Sequence, residues 1–347
     1  MNSIYFLKVW LSILSCFSMV TTIYSQSNSC GSTLCFASGL GSGMVMQQAP
    51  ASAAVYGSIP TSSPANTALS VTLASTDGKY NKAYPTNARD DFTWKVIFDP
   101  LPAGGNYSIT VTCSNCPNTT MVQLTDITFG DIWFCSGQSN MWLPLWFTFD
   151  RNATTAAILN GSYTNIRIWR GGLGTTNKQG NWIGPAGPAP GTDSNDALTN
   201  QWRHLIDLLP PITPEMRPGE PWLWEFPSTC FYTAQYLTDF LGANAPPIGL
   251  MSVPVGGTMV EQWTSWNTQL QCINATCMCQ TQGCDPFQPL NPENCTSNSN
   301  LYNGNIEPFV NITVKGWLWY QVSISMDICM ITEELYYNLH KDTDESF

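Results

Sequence analysis

Residues 26 to about 125 alternate apolar and polar side chains in short runs, the period-two pattern of strands with one face buried. The clearest runs are 70–73, 94–98 and 107–112. Turn-rich pieces around Pro60, Pro64, Pro102 and Gly105 separate them. This predicts a small all-β unit, a sandwich of short strands. From about residue 126 the pattern changes. Residues 127–135 read as a buried strand, covered on both faces. A helix is predicted over 228–241. Ser228 is placed to cap it, Phe231, Ala234, Tyr236, Leu237 and Leu241 form its apolar stripe, and Gly242 ends it. Pro246 and Pro247 introduce a further strand over 248–253, which closes at Gly256 and Gly257. The apolar run 314–320 is strand-like and ends at Gln321. Strand, helix and strand with long gaps between them predict an α/β unit built on a mostly parallel sheet. Residues 171–200, rich in Gly, Pro, Asn and Thr, read as a long surface loop able to rim a cleft.

Composition narrows the function. The 347 residues carry a net charge of −11 and no basic cluster, which removes nucleic acid from the candidate partners. Only 11% of residues are charged, against roughly a quarter in an average soluble domain. Tryptophan, tyrosine and phenylalanine are abundant, which suits contact with the flat faces of sugars; most of these rings nevertheless fill cores.

The first 25 residues have the form of a signal peptide: Lys8, an apolar stretch over 9–20, then a cleavage position after Ser25. A single-span anchor is the alternative reading, but the apolar run is shorter than the ~20 residues a spanning helix needs. No later segment is long and apolar enough to cross a bilayer, so no membrane span is expected after signal removal. Of 13 cysteines, Cys16 lies in the signal segment, and Cys272, Cys277, Cys279, Cys284 and Cys295 crowd together. In an exported protein that crowd reads as a disulfide framework; a zinc site is the alternative, with no neighbouring histidine to support it. Cys113 and Cys116 can pair with each other or with Cys30 and Cys35. Seven Asn-x-Ser/Thr acceptors, at Asn106, Asn118, Asn152, Asn160, Asn274, Asn294 and Asn311, predict a glycoprotein that is secreted or lysosomal.

The candidate chemistry sits at Gly130-Asp131-Ile132-Trp133-Phe134-Cys135-Ser136-Gly137-Gln138-Ser139-Asn140-Met141. A strand that stops at this point presents a serine in the crevice at its carboxyl end, where open α/β sheets place their ligands. The segment resembles the nucleophile block of the sialate O-acetylesterases, SGNH-type carbohydrate esterases, and the resemblance puts the nucleophile on Ser139 rather than Ser136. A second block, Pro247-Ile248-Gly249-Leu250 through Gly256-Gly257-Thr258 to Glu261-Gln262-Trp263, is similar to the same family. So are Lys315-Gly316-Trp317-Leu318-Trp319-Tyr320-Gln321 and, upstream, Asn303-Gly304-Asn305-Ile306-Glu307-Pro308. The opening Ser42-Gly43-Met44-Val45-Met46-Gln47 resembles the family's amino-terminal β domain. The resemblance therefore covers about residues 42 to 321. It implies a flavodoxin-like parallel-sheet esterase domain over 126–321, incomplete, behind a β-sandwich over 26–125. It also implies an O-acetylated carbohydrate substrate, either sialic acid or another acetylated sugar such as xylan. Oxyanion donors fall at Ser139, at Gly257 or Gly256, and at the Gln321 amide, and no metal or organic cofactor is required.

The likeness stops after Gln321. Val322-Ser323 replace the Gly-Glu that the family carries, and 322–347 form a divergent tail. The family's Asp-x-x-His block, which activates the serine, has no counterpart. The two histidines are His204, in the wrong chain order for this role and read as structural, and His340, where the position three residues earlier is Tyr337. A serine without its base loses most of the ~10²–10⁴-fold that proton transfer contributes. The alternative expectations are thus a non-catalytic carbohydrate-binding glycoprotein or a truncated gene product.

Overall fold

The computed structural model describes residues 32–171, 201–209, 222–265, 267–268 and 299–321. The signal segment, most of the 171–200 loop, the crowd of cysteines from Cys272 to Cys295, Asn274, Asn294, His340 and the 322–347 tail lie outside them. The chain forms β1 (Cys35–Phe36), β2 (Val45–Gln47), β3 (Ala54–Ser58), β4 (Ala68–Ser75), β5 (Asn81–Asn87), β6 (Thr93–Ile97), β7 (Gly104–Thr112) and β8 (Met121–Gly137). After the short helix α1 (Ser139–Trp142) and α2 (Arg151–Leu159) come β9 (Ile166–Arg170) and β10 (Trp202–His204). Helix α3 (Ser228–Leu241), β11 (Ile248–Ser252) and β12 (Gly316–Tyr320) follow.

The result is mixed α/β. Strands β1, β3 and β6 make a small antiparallel sheet, and the other nine join one mixed sheet. The common member is β8, 17 residues long, which contains the point near residue 125 where the sequence pattern changes. Its first half pairs antiparallel with β7, which continues to β4 and β5. Its second half pairs parallel with β11 on one side and β12 on the other, and β11 continues in parallel to β9. The two halves differ in sequence as they differ in pairing. Residues 121–127 expose every second side chain, whereas almost the whole of 127–137 is buried.

Two apolar clusters hold this arrangement. One lies between the small sheet and the antiparallel half and continues under the parallel strands; it holds Tyr56, Trp94, Val71, Ile109, Phe129, Phe134, Met251 and Phe309. The other, on the opposite face, packs Cys135, Leu250 and Ile168 under Phe231 and Ala234 of α3 and Met141 of α1. Neighbours along β8 and β11 thus alternate between clusters: Phe134 and Met251 face one, Cys135 and Leu250 the other. The helix predicted over 228–241 is observed with those limits and ends at Gly242, φ +54°. Its amino-terminal capping differs from expectation. Pro227 occupies the capping position, and the Ser228 hydroxyl donates instead to the Leu143 carbonyl at 2.8 Å. That bond fastens α3 to the segment that follows α1.

Candidate active site

Strands β8, β11 and β12 run parallel and end side by side, with Ser252 beside Cys135 and Tyr320 beside Gly137. Backbone bonds continue past their ends: Gln138 N–H donates to Tyr320 O (3.0 Å), Val255 N–H to Gly137 O (2.9 Å), and Val253 N–H to Cys135 O (3.1 Å). The approach of β12 requires glycine at 137. Its φ is +130°, and a Cβ there would fall 2.2 Å from Tyr320 O. The chain then turns into α1 with Ser139 as its first residue.

This geometry separates the two serines of the motif. Ser136 is fully buried, its hydroxyl 3.4 Å from Val253 O, whereas Ser139 is exposed. Gly256 stands against Ser139: a Cβ added to it would lie 3.6 Å from the Ser139 Cβ. Gly257, also exposed, has φ +73° with open space where a Cβ would be. Gln321 leaves the end of β12. Its Nε2 donates to Thr258 O at 2.9 Å and its Oε1 accepts from Trp319 Nε1 at 3.2 Å, so the amide is oriented and one of its two N–H bonds is uncommitted among the described residues. Thr258 is itself held, its hydroxyl donating to Val255 O (2.8 Å) and accepting from Trp263 Nε1 (2.9 Å). The Trp263 and Trp319 rings meet edge to face at 5.3 Å. Ser139, Gly256, Gly257 and Gln321, singled out in sequence from three separate segments, therefore come together at the carboxyl ends of these parallel strands.

Two supports were not legible in the sequence. A disulfide joins Cys135, four residues before Ser139, to Cys230 in the first turn of α3, and both cysteines are fully buried. The Thr258 latch on Gln321 is the second. Cys113 pairs locally with Cys116.

His204 lies elsewhere. Its Nε2 is 2.7 Å from the Asp126 carboxylate, which also pairs with Arg167 Nη2 at 3.1 Å, while Arg167 Nη1 donates to Gly43 O at 2.9 Å. Burial lowers the pKa of Arg167, opposed by the neighbouring Asp126 charge. The cluster sits where the parallel strands begin. Asp126 and Gly137 are separated along β8 by roughly 35 Å of extended chain. Of the glycosylation acceptors, Asn106, Asn118, Asn152 and Asn160 are exposed; Asn311 is half-buried and accepts from Lys95 Nζ at 2.8 Å.

A serine, glycine N–H groups and an oriented amide thus meet at the ends of three parallel strands. Over 286 residues the chain is 27% identical to the sialate O-acetylesterase of Homo sapiens, a match covering 82% of this chain and 48% of the relative. The sialate O-acetylesterase of Mus musculus is 26% identical over 331 residues, 90% of this chain and 56% of the relative. The chain is similar to the sialate O-acetylesterases. It spans about half the length of the relatives it matches. No protein-family model matches the chain. Among solved structures, a carbohydrate acetylesterase from Xanthomonas citri shares the fold, with a TM-score of 0.57 at 23% identity over 84% of this chain and 52% of that one. Among the described residues no helix is long and apolar enough to cross a membrane.

Proposed function

We propose that this chain carries the nucleophile half of a carbohydrate O-acetylesterase acting on sialic acid or a related acetylated sugar. The observation that carries the reading is the convergence of Ser139, Gly256–Gly257 and Gln321 at the ends of β8, β11 and β12. In this scheme the Ser139 hydroxyl attacks the acetyl carbonyl, and the N–H groups of Ser139 and Gly257, with the free N–H of Gln321, receive the oxyanion. The sugar alcohol leaves with a proton, and water then cleaves the acetyl-serine to acetate. No resident metal or cofactor enters these steps. We propose further that residues 126–321 form an SGNH-type, flavodoxin-like domain behind a β-sandwich domain over 26–125, and that the protein is exported to the cell exterior or lysosome with glycosylation at its exposed acceptors.

The test is acetate release from an O-acetylated methyl sialoside by the secreted chain and by its Ser139→Ala variant. Release that disappears with the hydroxyl supports the reading; equal release from both proteins refutes it. The second reading, a sugar-binding glycoprotein without turnover, draws on the placement of His204. The imidazole is paired with Asp126 at the far end of the strands, and His340 has Tyr337 where the family's block has aspartate. That reading predicts sugar affinity with no acetate release above buffer.

A further inference from the structure

Eleven tryptophans fall among the described residues, and two of them are exposed, Trp142 at 44% and Trp319 at 37%. Trp319 is engaged: its ring meets Trp263 and its N–H holds Gln321. Trp142 has neither a ring contact nor a side-chain hydrogen bond among the described residues, and leaving so large an apolar surface in water is costly. Its position is fixed nonetheless. Its backbone N–H donates to Gln138 O at 2.9 Å, and its neighbour Met141 is buried in the cluster under α3.

Trp142 is the third residue after Ser139 in the same helical turn, so the two side chains share a face, with Cβ atoms about 5–6 Å apart. That spacing is close to the width of a pyranose ring. A sugar lying flat on the indole would bring an acetyl group on its rim to the Ser139 hydroxyl. The segments that carry Ser139, Gly256–Gly257 and Gln321 suit a ring held by stacking rather than by ion pairs, since residues 132–149, 248–260 and 316–321 contain no charged side chain.

We infer that Trp142 is the stacking platform for the pyranose ring bearing the acetyl ester, and thereby a specificity determinant of the proposed esterase site. The assignment rests on that proposed reading but concerns recognition, so it can be separated from turnover. The probe is a methyl O-acetyl-β-glucopyranoside. Its dissociation constant is measured by saturation-transfer NMR for the full glycosylated chain and for its Trp142→Ala, Trp142→Phe and Tyr236→Ala variants. Tyr236 is an exposed aromatic residue of α3, stacked on Phe240 and not part of the site. Thermal scans establish that each variant is folded.

Trp142→Ala is expected to weaken binding by about tenfold, Trp142→Phe to restore most of the loss, and Tyr236→Ala to change nothing. Saturation should be strongest on the ring C–H protons of the sugar. Unchanged affinity in Trp142→Ala, or no binding by the parent chain, overturns the assignment. Acetate release from a small ring-free acetate ester, compared with Ser139→Ala, tests the esterase reading separately. Ser139-dependent release with a Trp142-independent affinity would leave the esterase and remove the platform; Trp142-dependent affinity without release would do the reverse.

Discussion

Among the described residues the Cys135–Cys230 bridge is the covalent tie nearest Ser139, and its contribution can be worked from chain separation. Closing a loop with 95 residues of sequence separation removes about 4.7 kcal/mol of unfolded-state entropy at 25 °C in the chain-entropy model. The Cys113–Cys116 bridge closes a separation of only 3, for which the same expression gives about 1.6 kcal/mol. The perturbation is therefore a pair of double variants, Cys135→Ala/Cys230→Ala and Cys113→Ala/Cys116→Ala, compared under non-reducing conditions. All four cysteines are buried, so lost sulfur contacts add about 1 kcal/mol at each position in both variants, and the difference between variants isolates the loop term. The first pair should be about 3 kcal/mol less stable than the second by urea unfolding. At roughly 2–4 °C per kcal/mol this corresponds to a melting temperature lower by roughly 6–12 °C. The unfolding slope should also steepen in the first variant, because its unfolded chain is free to expand. Equal midpoints for the two variants would refute the loop-entropy reasoning. Free thiols at 135 and 230 in the native parent chain, by mass spectrometry after alkylation, would remove its premise.

Gly137→Ala should destabilise the fold by about 3 kcal/mol or more, because the new Cβ meets Tyr320 O at a backbone angle that only glycine accepts; a midpoint shift below about 1 kcal/mol would contradict the approach of β12. His204→Ala should leave any Ser139-dependent acetate release unchanged, whereas loss of turnover in a folded variant would show that this imidazole reaches the site. Asp126→Asn, which leaves the half-buried Arg167 without its charge partner, should cost roughly 1–3 kcal/mol by urea unfolding, with no change in ring-free ester turnover. Lys95 has its pKa lowered by burial, so the unfolded chain binds more protons than the native one at pH values just below the ordinary 10.5. Stability should therefore gain a component that rises with pH through that window, and Lys95→Met should flatten it; an unaltered slope in the variant would exclude the linkage.

How much of this was legible in the sequence depended on whether the information was local. The limits of α3 were readable because apolar residues at helical spacing and Gly242 are both local signals; of the expected stripe, Phe231 and Ala234 are buried and Leu237 packs against them, whereas Tyr236 and Leu241 stay exposed because only the start of the helix lies on the sheet. The strands around 70–73, 94–98, 107–112, 248–253 and 314–320 were readable for the same reason, within a few residues at their ends. The extent of β8 was not. Its first residues alternate and its later ones do not, which reads as two elements, yet a change of partner from antiparallel β7 to parallel β11 and β12 alters the burial pattern without breaking the strand. The exchange of the Ser228 cap for a bond to Leu143, 85 residues away in sequence, likewise depends on tertiary placement that no window of sequence contains.

The same division runs through the candidate site. Ser139, Gly257 and Gln321 were named from motifs in three segments, and parallel pairing brings the segments together because each ends at the same level of the sheet. What fixes their geometry is non-local: a disulfide across 95 residues and a threonine carbonyl holding an amide 63 positions later. An oxyanion donor must be held still before charge develops, and Gln321, anchored at both ends of its amide, meets that condition. It follows that Thr258→Pro, which distorts the turn presenting that carbonyl, should depress Ser139-dependent turnover through kcat rather than KM. Thr258→Val keeps the carbonyl and should depress turnover less, only through the lost hydroxyl bonds to Val255 and Trp263. Equal turnover in Thr258→Pro and the parent chain would show that Gln321 does not depend on this latch.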